Sequence, residues 1–170
     1  TGEYNGEQDT ASLLVNHADV DQVALTPAVA TRTAGTATAY TLTAYDVYHN
    51  AWDVTPGGEY TVTLGAGGSW LDHIYTTEIA GTWTVTGTYE SGGRIVSDTA
   101  ALTVAHAAAV HLDLEPHTAV ITAGDTISYD LTAYDAYYNA WDVTALGTYT
   151  ITEGAGGLWA GNVYTSEIAS

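Results

Sequence analysis

A chain of 170 residues that is 46% hydrophobic can bury a core, which removes a wholly disordered reading. Twenty acidic residues stand against two arginines, Arg32 and Arg94, and no lysine, for a formal charge of −18. Such a field repels phosphate backbones and anionic lipid surfaces, so no nucleic-acid partner is expected.

In chain order, residues 9–15 form a first short apolar strand with Ala11, Leu13 and Val15 on one face. Strand A follows at residues 20–26 and stops at Pro27. Strand B spans residues 36–45, with Tyr40, Leu42 and Ala44 on one face, and strand C follows Asn50. Strand D covers residues 60–64, and the glycine-rich turn at 65–68 leads to strand E at 70–75. Strand F, residues 81–89, alternates Trp83, Val85 and Gly87 with threonines. The Gly92-Gly93 pair then turns it into strand G at 95–104. Tyr, Trp, Thr and Val, which suit pleated, half-buried surfaces, run through these segments, and Phe, Met and Cys are absent. Seven such strands in about 90 residues match an immunoglobulin-like β-sandwich.

The whole pattern then recurs. Residues 44–55 (AYDVYHNAWDVT) reappear at 133–144 as AYDAYYNAWDVT, an offset of 89 residues. The same offset carries Pro27 to Pro116, Gly35 to Gly124, Trp70 to Trp159, and residues 75–80 to 164–169. Residue 170 matches Gly81, so the second copy has no counterpart of strands F and G. Residues 9–15 match 98–104 at the same offset, and residues 1–4 resemble 86–89 at an offset of 85. The expected organisation is therefore all-β, two tandem immunoglobulin-like β-sandwiches with the second lacking its C-terminal strands. Residues 1–18 are the end of strand F and strand G of a preceding or neighbouring module, 19–107 a complete module, and 108–170 an incomplete one. The absence of Met and of a leader at Thr1 predicts a chain that is processed or excerpted from a longer one.

An incomplete sandwich exposes its core and a strand edge, and exposed edges recruit strands. Donation of the N-terminal strand (Asp9, Thr10, Ala11, Leu13, Val15) to the second module of a neighbour predicts a head-to-tail homopolymer. The acceptor groove is expected to involve Tyr129, Leu131, Ala133, Trp159 and Val163. The other arrangements are a covalently continuous tandem array and a closed monomer that swaps its own N-terminal strand.

The Asp46-Val47-Tyr48-His49-Asn50 segment and its copy Asp135-Ala136-Tyr137-Tyr138-Asn139 resemble a motif of bacterial and archaeal immunoglobulin-like repeats. In those secreted surface proteins, strand B ends Asp-x-Tyr-Gly-Asn before strand C. The resemblance implies a β-sandwich used in extracellular stalks, adhesins and surface layers, with no catalysis of its own. The motif's glycine is replaced by His49 and Tyr138. A turn that needs positive φ there would be strained unless the side chains gain contacts.

Candidate chemistry is sparse. Asp46 and Asp53, with Asp135 and Asp142, flank the B–C turn and either chelate Ca²⁺ or cap backbone N–H groups. Asp19 and Asp21 near His17, and Asp113 and Glu115 near His111, offer a cation to the module junctions. His106 and His111, five residues apart, are a metal signal only by spacing. Trp52, Trp70, Trp83, Trp141 and Trp159 suit glycan stacking or core anchoring. The carboxylates near the shared motif occur in both copies, as structural features do, so no enzyme is expected. With no apolar run of membrane-spanning length, no membrane insertion is expected either.

Overall fold

The computed structural model describes residues 1–169; Ser170, the last residue of the expected third segment, lies outside the described residues. No helix among them is long and apolar enough to cross a membrane. The N-terminus forms a small hairpin, β1 (Gly2–Tyr4) and β2 (Glu7–Asp9), joined by Asn5-Gly6 with both residues at positive φ. Residues 10–16 follow without strand pairing and are exposed.

The first repeat contains β3 (Val20–Thr26), β4 (Val29–Thr33), β5 (Ala37–Ala39), β6 (Thr41–Asp46) and β7 (Ala51–Asp53). It continues with β8 (Glu59–Val62), β9 (Ser69–Leu71), β10 (Ile74–Thr76), β11 (Gly81–Ser91) and β12 (Arg94–Ala105). A sheet ordered β3-β6-β7 packs against one ordered β4-β12-β11-β8, and β5-β10-β9 form a third. The inward residues of these strands make one core. Val20, Leu25, Tyr40, Leu42, Ala44, Tyr75, Val85, Leu102 and Val104 are all buried in it. This is the β-sandwich that the alternating pattern predicts.

Strands A, F and G fall where the alternation places them. Three features differ. Strand B breaks at Tyr40 into β5 and β6, which belong to different sheets. Strand E is a two-stranded hairpin, because Asp72-His73 turns the chain with Asp72 at φ 53°. Residues 29–33, unassigned in the sequence reading, form β4, which runs parallel to β12 with Leu102 opposite Ala30. Pro27 ends the pairing of β3 with β6 and frees the chain to cross to the other sheet.

The second repeat contains β13 (His111–Glu115), β14 (Thr126–Ser128), β15 (Asp130–Tyr134), β16 (Ala140–Asp142), β17 (Leu158–Ala160) and β18 (Val163–Thr165). Its sheets β13-β15-β16 and β14-β18-β17 reproduce β3-β6-β7 and β5-β10-β9. Residues 118–122 and 148–151, the counterparts of β4 and β8, form no strand. Their ladder partners would be equivalents of β12 and β11, which the described residues of this repeat do not contain. The core is correspondingly open: Leu114 is 40% exposed, whereas its counterpart Leu25 is 2% exposed.

Both B–C turns do adopt the left-handed conformation, with His49 and Tyr138 each at φ 63°. The Tyr138 side chain is 87% exposed, so burial among the described residues does little to offset the strain. Each turn thus carries a backbone cost of about 1–2 kcal/mol.

Candidate assembly interface

Each repeat is entered through the same clasp, centred on the aspartate of the repeated motif. Asp135 is buried and accepts four hydrogen bonds. Its Oδ1 takes the N–H groups of Tyr137 and Asn139, at 2.8 and 3.0 Å. Its Oδ2 takes the Ala107 N–H and the Asn139 Nδ2–H, both at 2.8 Å. Asp46 does the same with Tyr48, Asn50 and Ala18. One carboxylate therefore fixes both the turn and the incoming linker. A histidine tightens the linker further: His106 stacks on Trp141 at 3.6 Å, and His17 stacks on Trp52 at 3.7 Å. Each ring also donates from Nδ1 to the next carbonyl, Ala107 O and Ala18 O.

Burial pushes both carboxyl groups up, but the asparagine amide and the backbone N–H donors outweigh it and hold each at about 2. That lies below the ordinary value of 3.8, so the clasp stabilises the fold above about pH 4 and is lost as the pH falls toward 2. The Tm advantage of the wild-type chain over Asp135→Asn should therefore shrink between pH 4 and pH 2. Comparing the two chains cancels the general loss of negative charge. An advantage that stays constant across that range would contradict the assignment.

The two repeats meet through the same turn. Asn139 is buried; its Nδ2 donates to Glu78 O at 2.9 Å and its Oδ1 accepts from Ala80 N–H at 2.7 Å. Tyr137 packs on the first repeat's core, with its hydroxyl end over Gly35. A Cβ on Gly35 would collide with that ring, and the residue sits at φ 85°, so glycine is required there twice over. The motif that makes this contact is visible in the sequence, but it reads there only as a turn.

The open face of the second repeat holds two cavities, of about 1000 and 440 Å³. The larger is bounded by residues 119–123 together with Ile127, Tyr129, Ile151 and Tyr164. The smaller is bounded by Leu112, Leu114, Tyr129, Leu131, Tyr149 and Trp159 among others. Of the expected groove residues, Tyr129, Leu131 and Trp159 line these cavities. Ala133 is buried in β15, and Val163 pairs with Ser128 and Ala160 in β18. Neither of the last two lines the opening. The walls that the sequence reading missed are the segments 118–122 and 148–151.

Of the donor residues, Asp9 pairs with Gly2 in the N-terminal hairpin, and its Oδ1 accepts from Thr10 N–H at 2.8 Å. Thr10, Ala11, Leu13 and Val15 are exposed and unpaired, Leu13 at 87%. The hairpin register matches that of the first repeat: Gly2 faces Asp9 as Gly87 faces Asp98.

The remaining candidates sit elsewhere. Asp53 and Asp142 accept from Thr55 and Thr144 N–H, and the threonine side chains first, with these N–H groups, lower both carboxyl pKa values. His117, rather than His111, joins Asp113 and Glu115 in an exposed group, at 3.4 and 3.1 Å. His111 lies against Tyr134, apart from His106 on Trp141. Asp21 pairs with Arg94 at 2.9 Å. Trp52 and Trp141 are covered by the stacked histidines, and Trp70 and Trp159 pack among tyrosines. Trp83 donates to Ile79 O.

No family model matches this chain, and no curated protein is found similar to it. Among solved structures, domains 1–6 of the surface layer protein SbsC align at 16% identity with a TM-score of 0.33. That alignment covers 86% of this chain and 21% of that one, so this chain spans about a fifth of the other's length. Domains 5–6 of the same protein align at 16% identity and a TM-score of 0.32, covering 88% and 85%. Likenesses this distant carry no argument about fold or role, which rest on the chain's own geometry.

Proposed function

We propose that this chain is the structural subunit of an extracellular filament, assembled head-to-tail by donating its N-terminal strand to the second repeat of a neighbour. In this reading residues 1–18 are the donor segment, 19–107 a complete immunoglobulin-like module, and 108–170 the acceptor module. One observation carries it. The strand-less edges 118–122 and 148–151 flank an open apolar groove, and residues 10–15 are an unpaired copy of the strand that fills the equivalent place in the first repeat.

The repeat fixes the geometry of the exchange. In the first repeat, Leu102, Thr103, Val104 and Ala105 run parallel to Ala30, Thr31, Arg32 and Thr33. Shifted by 89 residues, Leu13, Leu14, Val15 and Asn16 run parallel to Ala119, Val120, Ile121 and Thr122 of the neighbour. Leu13 and Val15 then occupy the places of Leu102 and Val104, both buried. Asp98 Oδ2 accepts from Leu25 N–H at 2.8 Å, and Asp9 is set to accept from Leu114 in the same way. Gly2 takes the place of Gly87, where a Cβ would press on Leu25 and Leu42.

Deleting residues 1–16 should abolish polymerisation, and a synthetic peptide of residues 1–16 should bind the truncated chain and protect its Trp159 from solvent quenching. Polymers formed by the truncated chain would refute the donor role.

A further inference from the structure

We infer that the contact between neighbouring subunits repeats the internal junction, with Tyr48 and Asn50 of one copy seated on Gly124 and residues 167–169 of the next. The inference rests on the donor-strand reading and adds a second, separate surface to it.

Both halves of the internal contact recur, unpaired, at opposite ends of the chain. Asp46 holds Tyr48 and Asn50 in the turn that Asp135 builds for Tyr137 and Asn139, with the same bonds to within about 0.1 Å. Yet Tyr48 is 76% exposed and Asn50 is exposed, whereas Tyr137 is half-buried and Asn139 is buried. At the other end, Gly124 has the conformation of Gly35, at φ 95° against 85°. Its N–H donates to Ser166 O as that of Gly35 donates to Thr77 O. A Cβ on Gly35 meets Tyr137, while one on Gly124 meets nothing within 4 Å. Glu167 caps Gly157 N–H as Glu78 caps Gly68 N–H, so the receiving loop is formed as well. Ile168 and Ala169 are exposed, and their counterparts Ile79 and Ala80 are half-buried under the junction.

The linker ties the two surfaces together. The clasp at His17–Ala18 repeats the clasp at His106–Ala107, so residues 10–16 leave the first repeat as residues 99–105 leave the second. Once residues 10–16 lie in a neighbour's groove, the clasp brings Tyr48 over that neighbour's Gly124. It also sets Asn50 to bridge Glu167 O and Ala169 N–H. Such a contact is heterologous and does not close on itself.

The test measures the critical concentration for polymerisation by sedimentation for the wild-type chain, Tyr48→Ala and His49→Gly. Tyr48→Ala should raise it about tenfold or more, the effect expected of a buried interface tyrosine, while the monomer Tm stays unchanged. His49→Gly should leave it unchanged, because the equivalent Tyr138 stays 87% exposed at the internal junction. Polymers that form from Tyr48→Ala at the wild-type concentration would overturn the junction while leaving strand donation standing. A wild-type chain that does not polymerise would overturn both.

Discussion

The single substitution Leu13→Asp should yield a folded monomer that no longer polymerises. Leu13 is 87% exposed and touches no core, so the isolated chain should change in stability by less than about 0.5 kcal/mol. In the proposed assembly the same position takes the place of Leu102, which is fully buried. A carboxylate placed there finds no lysine or arginine among the groove-lining residues, and burying an unpaired charge costs several kcal/mol. A loss of that size at every subunit contact moves polymerisation beyond any accessible concentration. Negative-stain microscopy and sedimentation read the outcome directly. Filaments of Leu13→Asp at the wild-type concentration would show that this strand does not enter a groove.

The second large effect is on stability. Leu102→Ala should destabilise the first repeat by about 2–5 kcal/mol, because it empties a fully enclosed site between the two facing sheets. The matching change 89 residues earlier, Leu13→Ala, should leave the monomer's urea midpoint unchanged and raise the critical concentration for assembly. The same side chain in the same strand would then act on folding in one place and on association in the other. Equal, small effects on folding at both positions would contradict the place given to β12 at the centre of the first repeat's core.

Much of this was legible because the chain carries its own comparison. The 89-residue offset marks what a complete repeat contains and which strands the second repeat lacks. Strands A, F and G were readable from their alternation. Strand E was misread as continuous, although Gly161-Asn162 in the second copy is a strong two-residue hairpin signal. Asp72-His73 makes the same turn in the first copy with weaker chemistry. Strand β4 was missed because Pro27 reads as an end and Val29–Thr33 pairs only with a strand some 70 residues away in sequence, in parallel. Parallel pairing over that distance leaves no local trace. The groove residues were half legible: Tyr129, Leu131 and Trp159 follow from alternation, while the walls at 118–122 and 148–151 depend on the missed β4 pairing and on β8. The junction role of Tyr137 and Asn139 was hidden for another reason. The motif reads as a turn, and only the burial of one copy against the exposure of the other shows that it also makes a contact.

Electron cryomicroscopy of the assembled protein at side-chain resolution would show directly which segment fills the groove of the second repeat. Strand donation places residues 12–16 of one subunit parallel to 118–122 of the next, with Leu13 opposite Ala119 and buried. Residues 12–16 lying outside that groove, or the groove filled by any other segment, would contradict it.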